Sequence, residues 1–156
     1  GQSPQPLGVL VSSSGRLPLE RRYFQRTDFA RVLITSQAGA AALDPPAAAG
    51  LWVIVAGRRR VDLQAALAAL RTELGVRWLL CEGGPTLNRG LLAAGLVDEL
   101  FLTLAPKLAG GRALPIVAGP PLPGGAPVSL RLLALHADGD ELYQRYQVVP
   151  VANAAP

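Results

Sequence analysis

Two short stretches carry residue types suited to anion and nucleotide chemistry. The first is Glu82-Gly83-Gly84-Pro85. Two glycines let backbone approach a ligand closely and reach dihedral angles closed to other residues. A helix opening at Pro85 offers unpaired N–H groups and the positive end of its dipole, which suits a phosphate. Glu82 would be repelled by such an anion, so it is better aimed at a hydrogen-bond donor: an amino group, a ribose hydroxyl or a pyrimidine ring. The alternatives are a tight strand-to-helix turn for the glycines, and a surface carboxylate or an arginine partner for Glu82. The second stretch is Ser12-Ser13-Ser14-Gly15-Arg16. Small hydroxyls beside one arginine suit a phosphate monoester, and the alternative is an ordinary polar turn. If both stretches hold phosphates, the ligand is long, as a dinucleotide is.

The elements that must position these residues are legible from hydrophobic patterning. Leu7–Ser12, Arg31–Thr35 and Leu51–Val55 are short β-branched or apolar runs, as parallel strands buried on both faces are. Residues 38–50 are rich in Ala and Pro and predict a loop with a helical turn. Leu63, Ala66, Leu67, Leu70 and Leu74 fall on one face of a helix, with Asp62 as N-cap and Gly75 just past its end. Val76–Cys81 reads as a fourth strand, and Pro85 takes the first position of a second helix, whose Leu87, Leu91 and Ala94 face the core. Val97–Ala105 alternates, with Leu100, Leu102 and Leu104 on one face and Glu99, Phe101 and Thr103 on the other. After a Gly/Pro-rich loop at 107–125, Val128–Ala137 and Glu141–Val149 form a hairpin across Asp138-Gly139. The order predicts an α/β class: a mainly parallel sheet flanked by helices, with an antiparallel C-terminal hairpin. Residues 1–150 read as one domain and 151–156 as a tail.

Composition narrows the function classes. Half of the 156 residues are hydrophobic, enough for a core, yet no apolar run approaches the roughly 20 residues that span a bilayer. The start, GQSPQPLGVLV, has no basic n-region and predicts no signal peptide. A single cysteine, Cys81, rules out an intramolecular disulfide and a four-cysteine zinc site, fits a reducing, cytoplasmic setting, and is expected to pack as a small buried thiol. The net charge is +4, and Lys107 is the sole lysine. Arginine's planar fork matches phosphate, although the codon usage of a GC-rich genome also accounts for the bulk charge. Arg58-Arg59-Arg60 could meet phosphate or form a solvated loop. No aromatic residue interleaves with these arginines, so no nucleic-acid partner is expected. His136 has no second ligand near it in sequence, and no metal site is expected. P-loop, HExxH and GxSxG motifs are absent.

The stretch RWLLCEGGPTLNRGLLAAGLVDELFLTLAPKLAGG resembles the C-terminal reductase domain of the bifunctional riboflavin-biosynthesis deaminase/reductase. QPLGVLVSSSGRLPL and the helix-strand pair VDLQAALAAL and GVRWLL fit the same domain, so the resemblance covers nearly the whole chain. It implies a dihydrofolate-reductase-like fold and NADPH as cofactor. The implied reaction reduces the ribosyl group of a 5-amino-6-(5-phosphoribosylamino)uracil-type substrate, a phosphorylated pyrimidine, to ribityl. Carried over by motif, Gly83, Gly84, Pro85 and Thr86 would line the NADPH phosphates. Ser12, Ser13, Ser14 and Arg16 would sit near the adenosine 2′-phosphate, and Glu82 would bind or orient substrate as the catalytic candidate. The family domain opens with a further strand, a Ser-Leu-Asp-Gly stretch and a Gly-x-x-Thr loop that do not occur here, so the chain is expected to correspond to its later portion. A sheet lacking its early strands exposes apolar edges, and the family implies a homodimer through the region of strand 97–105 and the hairpin. The alternatives are a non-catalytic nucleotide-binding or oligomerisation module on the same fold, and a reductase of another pyrimidine or pterin.

Overall fold

Hydrophobic runs of five residues, each ending in a small polar group or a glycine turn, generate the first sheet. The computed structural model describes residues 5–43, 50–111 and 113–149; residues 44–49 of the Ala/Pro-rich loop and the expected tail 151–156 lie outside them. The chain divides into two compact units, Gly1–Leu79 and Leu80–Pro156.

In the first unit, β1 (Gly8–Ser12), β2 (Arg31–Thr35) and β3 (Leu51–Val55) form a parallel sheet in the order β1-β2-β3. Ser12, Thr35 and Val55 stand in register, so the three carboxyl ends share one sheet edge. The central β2 is buried along Val32–Thr35, which explains its unbroken apolar run. Two helical turns, α1 (Arg22–Gln25) and α2 (Gln37–Ala41), sit in the connections; the sequence pattern showed only the second. α3 (Leu63–Leu74) starts at Asp62, whose carboxylate accepts the Ala65 N–H at 3.0 Å, and ends at Gly75 in the left-handed region. Its buried Ala66 and Leu70 complete a core with Val32, Ile34, Ile54 and Ala56. Each large aliphatic side chain buried there contributes about 1.5–3 kcal/mol of transfer free energy.

In the second unit, α4 (Pro85–Ala93) has Pro85 in its first turn, as expected. β4 (Glu99–Leu104), β5 (Ser129–Asp138) and β6 (Glu141–Val149) make an antiparallel sheet in the order β4-β6-β5. The hairpin closes with Asp138 opposite Glu141, and one extra residue, Leu133, sits between the paired Leu132 and Ala134. Leu91 is the one buried apolar side chain of this unit among the described residues.

Two expectations are corrected. Val76–Cys81 is not a strand: among the described residues only Val76 is held through its backbone, by its N–H to the Leu70 carbonyl, and no strand pairs with residues 77–81. Trp78 is 93% and Leu80 75% exposed. An apolar run becomes a strand only when a neighbour accepts and donates its backbone hydrogen bonds; the pattern encodes the run but not the neighbour. For the same reason Cys81 is exposed rather than buried. Among the described residues, no helix is long and apolar enough to cross a membrane.

Candidate functional site

The serine stretch of the first unit leaves the carboxyl end of β1, beside the segments leaving β2 and β3. Ligands of open α/β sheets collect at such edges. Much of the polar inventory is already used to hold these segments together. Thr35 Oγ1 donates to the Ser12 carbonyl and Ser36 Oγ to the Ser13 carbonyl, both at 2.7 Å. Gly39 N–H donates back to Ser36 Oγ at 3.0 Å, capping α2. Ser13 Oγ accepts the Val61 N–H at 3.0 Å, tying the β1 end to the segment that enters α3. Ser12 Oγ donates to the Arg16 carbonyl at 3.3 Å, which consumes its only proton. Ser14 Oγ accepts the Arg16 N–H at 3.4 Å. Among the described residues the hydroxyl protons of Ser13 and Ser14 have no acceptor and stay available to an anion, whereas that of Ser12 is used.

Beside these segments lies an open cleft of about 690 Å³ lined by Gln37, Ala38, Arg58 and Arg59. The Gln37 and Ala38 N–H groups point inward, to the Gly57 and Arg58 carbonyls at 2.9 and 3.0 Å, and are not free for a ligand. The guanidinium groups are the available donors. Arg16, Arg58 and Arg59 are exposed and form no ion pair among the described residues. An arginine held out of ion pairs at a strand-end cleft keeps its five N–H donors for an anion. Sequence patterning left Arg58 and Arg59 between two readings and did not single out Gln37. Their signal was position: each closely follows the end of a parallel strand.

The second unit carries Glu82–Thr86. Gly83 has φ +88°, a conformation that glycine alone adopts readily, and the Gly83–Gly84 peptide is cis. A Cβ on Gly83 would stand 3.3 Å from Asn88 Nδ2, whereas one on Gly84 would meet nothing within 4 Å. Gly84 thus presents open space at the start of α4. The Asn88 N–H is used by the Gly84 carbonyl and Pro85 has none, while the Thr86 and Leu87 N–H groups have no acceptor among the described residues. α4 is tied to the loop between β4 and β5: Asn88 donates to the Ile116 carbonyl at 2.9 Å, and Arg89 to the Pro120 and Pro121 carbonyls at 3.0 and 2.9 Å. Glu82 is exposed and pairs with no arginine among the described residues. Cys81 Sγ lies 3.7 Å from Asn88 Oδ1.

Comparison with known proteins matches residues 1–143 to the family model described as RibD C-terminal domain. The chain is 41% identical over 98 residues to a 2,5-diamino-6-ribosylamino-4(3H)-pyrimidinone 5′-phosphate reductase of Methanothermobacter thermautotrophicus, covering 62% of this chain and 45% of that one. It is 38% identical over 118 residues to the protein of the same name from Archaeoglobus fulgidus, covering 75% and 52%. Among solved structures, a pyrimidine reductase-like protein from Corynebacterium diphtheriae superposes with a TM-score of 0.74 at 25% identity, over 92% of this chain and 61% of that one. RibD of Acinetobacter baumannii, at 20% identity and a TM-score of 0.73 over 90% of this chain and 37% of that one, shares the fold. The chain spans about half the length of the two archaeal relatives. The α/β class with a parallel sheet and an antiparallel C-terminal hairpin, expected from the sequence, is the one observed, and the chain belongs to the RibD C-terminal domain family.

Proposed function

We propose that this chain provides nucleotide-binding elements of a cytoplasmic, homodimeric, NADPH-dependent reductase of riboflavin biosynthesis. The substrate is a phosphorylated ribosylamino pyrimidine, as the names of the two archaeal relatives support; those names carry an amino group at position 2, where the 5-amino-6-(5-phosphoribosylamino)uracil-type substrate has a carbonyl. The observation that carries the reading is the open face of Gly84 beside the Thr86 and Leu87 N–H groups, which have no acceptor among the described residues, within the stretch that the family model matches.

The residues present fit the cofactor. Two free N–H groups at the start of a nine-residue helix, with no Cβ in front of them, suit a diphosphate. Arg16, with Arg58 and Arg59, supplies a 2′-phosphate with guanidinium groups that form no ion pair among the described residues, and the Ser13 and Ser14 hydroxyl protons add donors. When bound, NADPH would supply a hydride to C1′ of the ribosylamino group; the bond from C1′ to the ribose ring oxygen would break, and that oxygen would take a proton from water to become a hydroxyl of the open ribityl chain. Glu82, a carboxylate in no ion pair among the described residues, accepts hydrogen bonds from the amino and ring N–H groups of the pyrimidine and so orients it. Pro85 and Thr86 fix the start of α4, on which the diphosphate rests.

The test is a calorimetric titration of the chain with NADPH and NADH. Saturable binding that prefers NADPH is the expected result. Equal affinity for both would remove the 2′-phosphate role, and no binding by the folded chain would overturn the cofactor assignment to these residues.

A further inference from the structure

Thr35 and Ser36 are the two buried polar side chains among the described residues, each 0% exposed. They stand where the parallel ladder of β1 and β2 ends, because Ser12 opposite Thr35 is its last pair. A buried hydroxyl costs free energy unless it is hydrogen-bonded, so the partners these two have taken are informative.

Four consecutive residues here each hold a neighbouring loop. Thr35 Oγ1 donates to the Ser12 carbonyl and Ser36 Oγ to the Ser13 carbonyl, both at 2.7 Å. The Gln37 and Ala38 N–H groups donate to the Gly57 and Arg58 carbonyls at 2.9 and 3.0 Å. The first pair fixes the loop of Ser13, Ser14 and Arg16, and the second fixes the loop of Arg58 and Arg59. The Val61 N–H, which donates to Ser13 Oγ at 3.0 Å, ties the two loops directly. The pairs differ in kind. Any residue but proline supplies a backbone N–H, whereas the hydroxyl donors depend on the residue types at 35 and 36. A hydroxyl has one proton, and both are used on carbonyls. These side chains therefore act on an anion through the loop they hold, not by touching it. Their setting is tight, since a Cβ on Gly39 would lie 2.2 Å from Thr35 Oγ1 and 2.6 Å from the Ser13 carbonyl oxygen.

We propose that Thr35 and Ser36 are positioning residues for the 2′-phosphate of the cofactor: their buried hydroxyl groups hold the Ser13–Arg16 loop in the one placement, relative to Arg58 and Arg59, in which a single phosphate monoester meets both sets of donors. This rests on the 2′-phosphate reading given above and adds to it the residues on which its selectivity depends. A constellation of donors binds well only while its supporting groups keep each member in place. Loosening one loop by a lost hydroxyl therefore lowers the gain from the extra phosphate and leaves the rest of the nucleotide nearly as well bound.

Calorimetric titration of the chain with adenosine 2′,5′-bisphosphate and adenosine 5′-monophosphate tests it, because the two probes differ by the 2′-phosphate alone. Thr35→Val removes the hydroxyl and keeps the shape. It is expected to weaken the bisphosphate about tenfold and the monophosphate by less than about threefold. Thr35→Ser keeps the hydroxyl and is expected to retain the preference of the unchanged chain to within about threefold. Ser36→Ala releases the next carbonyl and is expected to lower the preference in the same direction; it decides the matter where Thr35→Val fails to fold. An unchanged preference in the folded variants, or an equal loss for both probes, would overturn the positioning role alone. An unchanged chain that binds both probes equally would overturn the 2′-phosphate reading together with it.

Discussion

Gly15 and Gly39 meet backbone to backbone. A Cβ on Gly15 would lie 2.2 Å from the Gly39 carbonyl oxygen, and one on Gly39 would lie 2.8 Å from the Gly15 nitrogen and 2.2 Å from Thr35 Oγ1. The contact lets the Ser13–Ser14 segment and α2 close on each other, with Ser36 Oγ bridging the Ser13 carbonyl and the Gly39 N–H. Gly39→Ala meets no dihedral penalty, because Gly39 is not at positive φ, and within α2 alanine is favoured over glycine by about 0.5–1 kcal/mol. Its cost is therefore steric, about 2–3 kcal/mol. A urea unfolding midpoint unchanged from the wild type would show that the two segments can part freely.

Arg16→Ala is expected to weaken NADPH about tenfold and NADH little, since only NADPH carries the 2′-phosphate and a charge-assisted hydrogen bond is worth about 1.5–3 kcal/mol. Arg58→Ala is expected to do the same, because Arg58 lines the cleft beside α2. Calorimetry with both nucleotides decides which arginine reads the phosphate, and equal losses for NADPH and NADH would exclude that role for the residue changed.

Gly84→Val should abolish cofactor binding while leaving the far-ultraviolet circular dichroism and thermal midpoint close to the wild type. Nothing lies within 4 Å of a Cβ there, and Gly84 is not at positive φ, so the folded chain has room for the side chain and only a ligand loses space. Retained binding would make the turn purely structural.

Glu82→Gln keeps the shape and removes the charge. It is expected to lower turnover of the whole enzyme by about tenfold or more while leaving the NADPH affinity within about twofold, since an acceptor facing the pyrimidine contributes to orientation rather than to holding the cofactor. A fully active variant would end its candidacy.

Glu99 and Arg145 form a bidentate pair across β4 and β6, with N–O distances of 2.8 and 2.7 Å, and the guanidinium also lies over the Phe101 ring. The Arg145 hydrogen bonds hold the Glu99 carboxyl below its ordinary value. The unfolded chain therefore binds a proton that the folded one refuses. Stability from this pair is present above the ordinary glutamate range of about 4.3 and is lost as pH falls through the lower folded value. Unfolding midpoints measured from neutral to acid pH should fall less steeply for Arg145→Gln than for the wild type, and identical profiles would show the pair to be without effect.

Local elements were legible because their signals are local. Asp62 and Gly75 bracket α3, Pro85 opens α4, and the turn after Asp138 closes the hairpin, each through chemistry within a few residues of the chain. The motif Glu82–Thr86 was legible in the same way, since glycines before a helix are a property of adjacent residues. The family followed from motif order along the chain, which needs no coordinates.

Tertiary structure decided everything that depends on partners distant in sequence. Whether Val76–Cys81 is a strand depends on a neighbouring backbone, and none among the described residues supplies it. Which serine hydroxyls stay free depends on Val61, Arg16 and Ser36, and the Ser13–Val61 link spans 48 positions. The cleft at Gln37, Ala38, Arg58 and Arg59 is formed by segments that follow β2 and β3, two parallel strands that end in register. Arg131 and Asp138 of β5 fall on one face of the sheet, opposite Gln147 and Glu141, only because Leu133 has no partner on β6. Side-chain chemistry and short-range backbone preference are written residue by residue. Hydrogen-bond partners and strand register are settled by which segments meet, and only the folded chain brings them together.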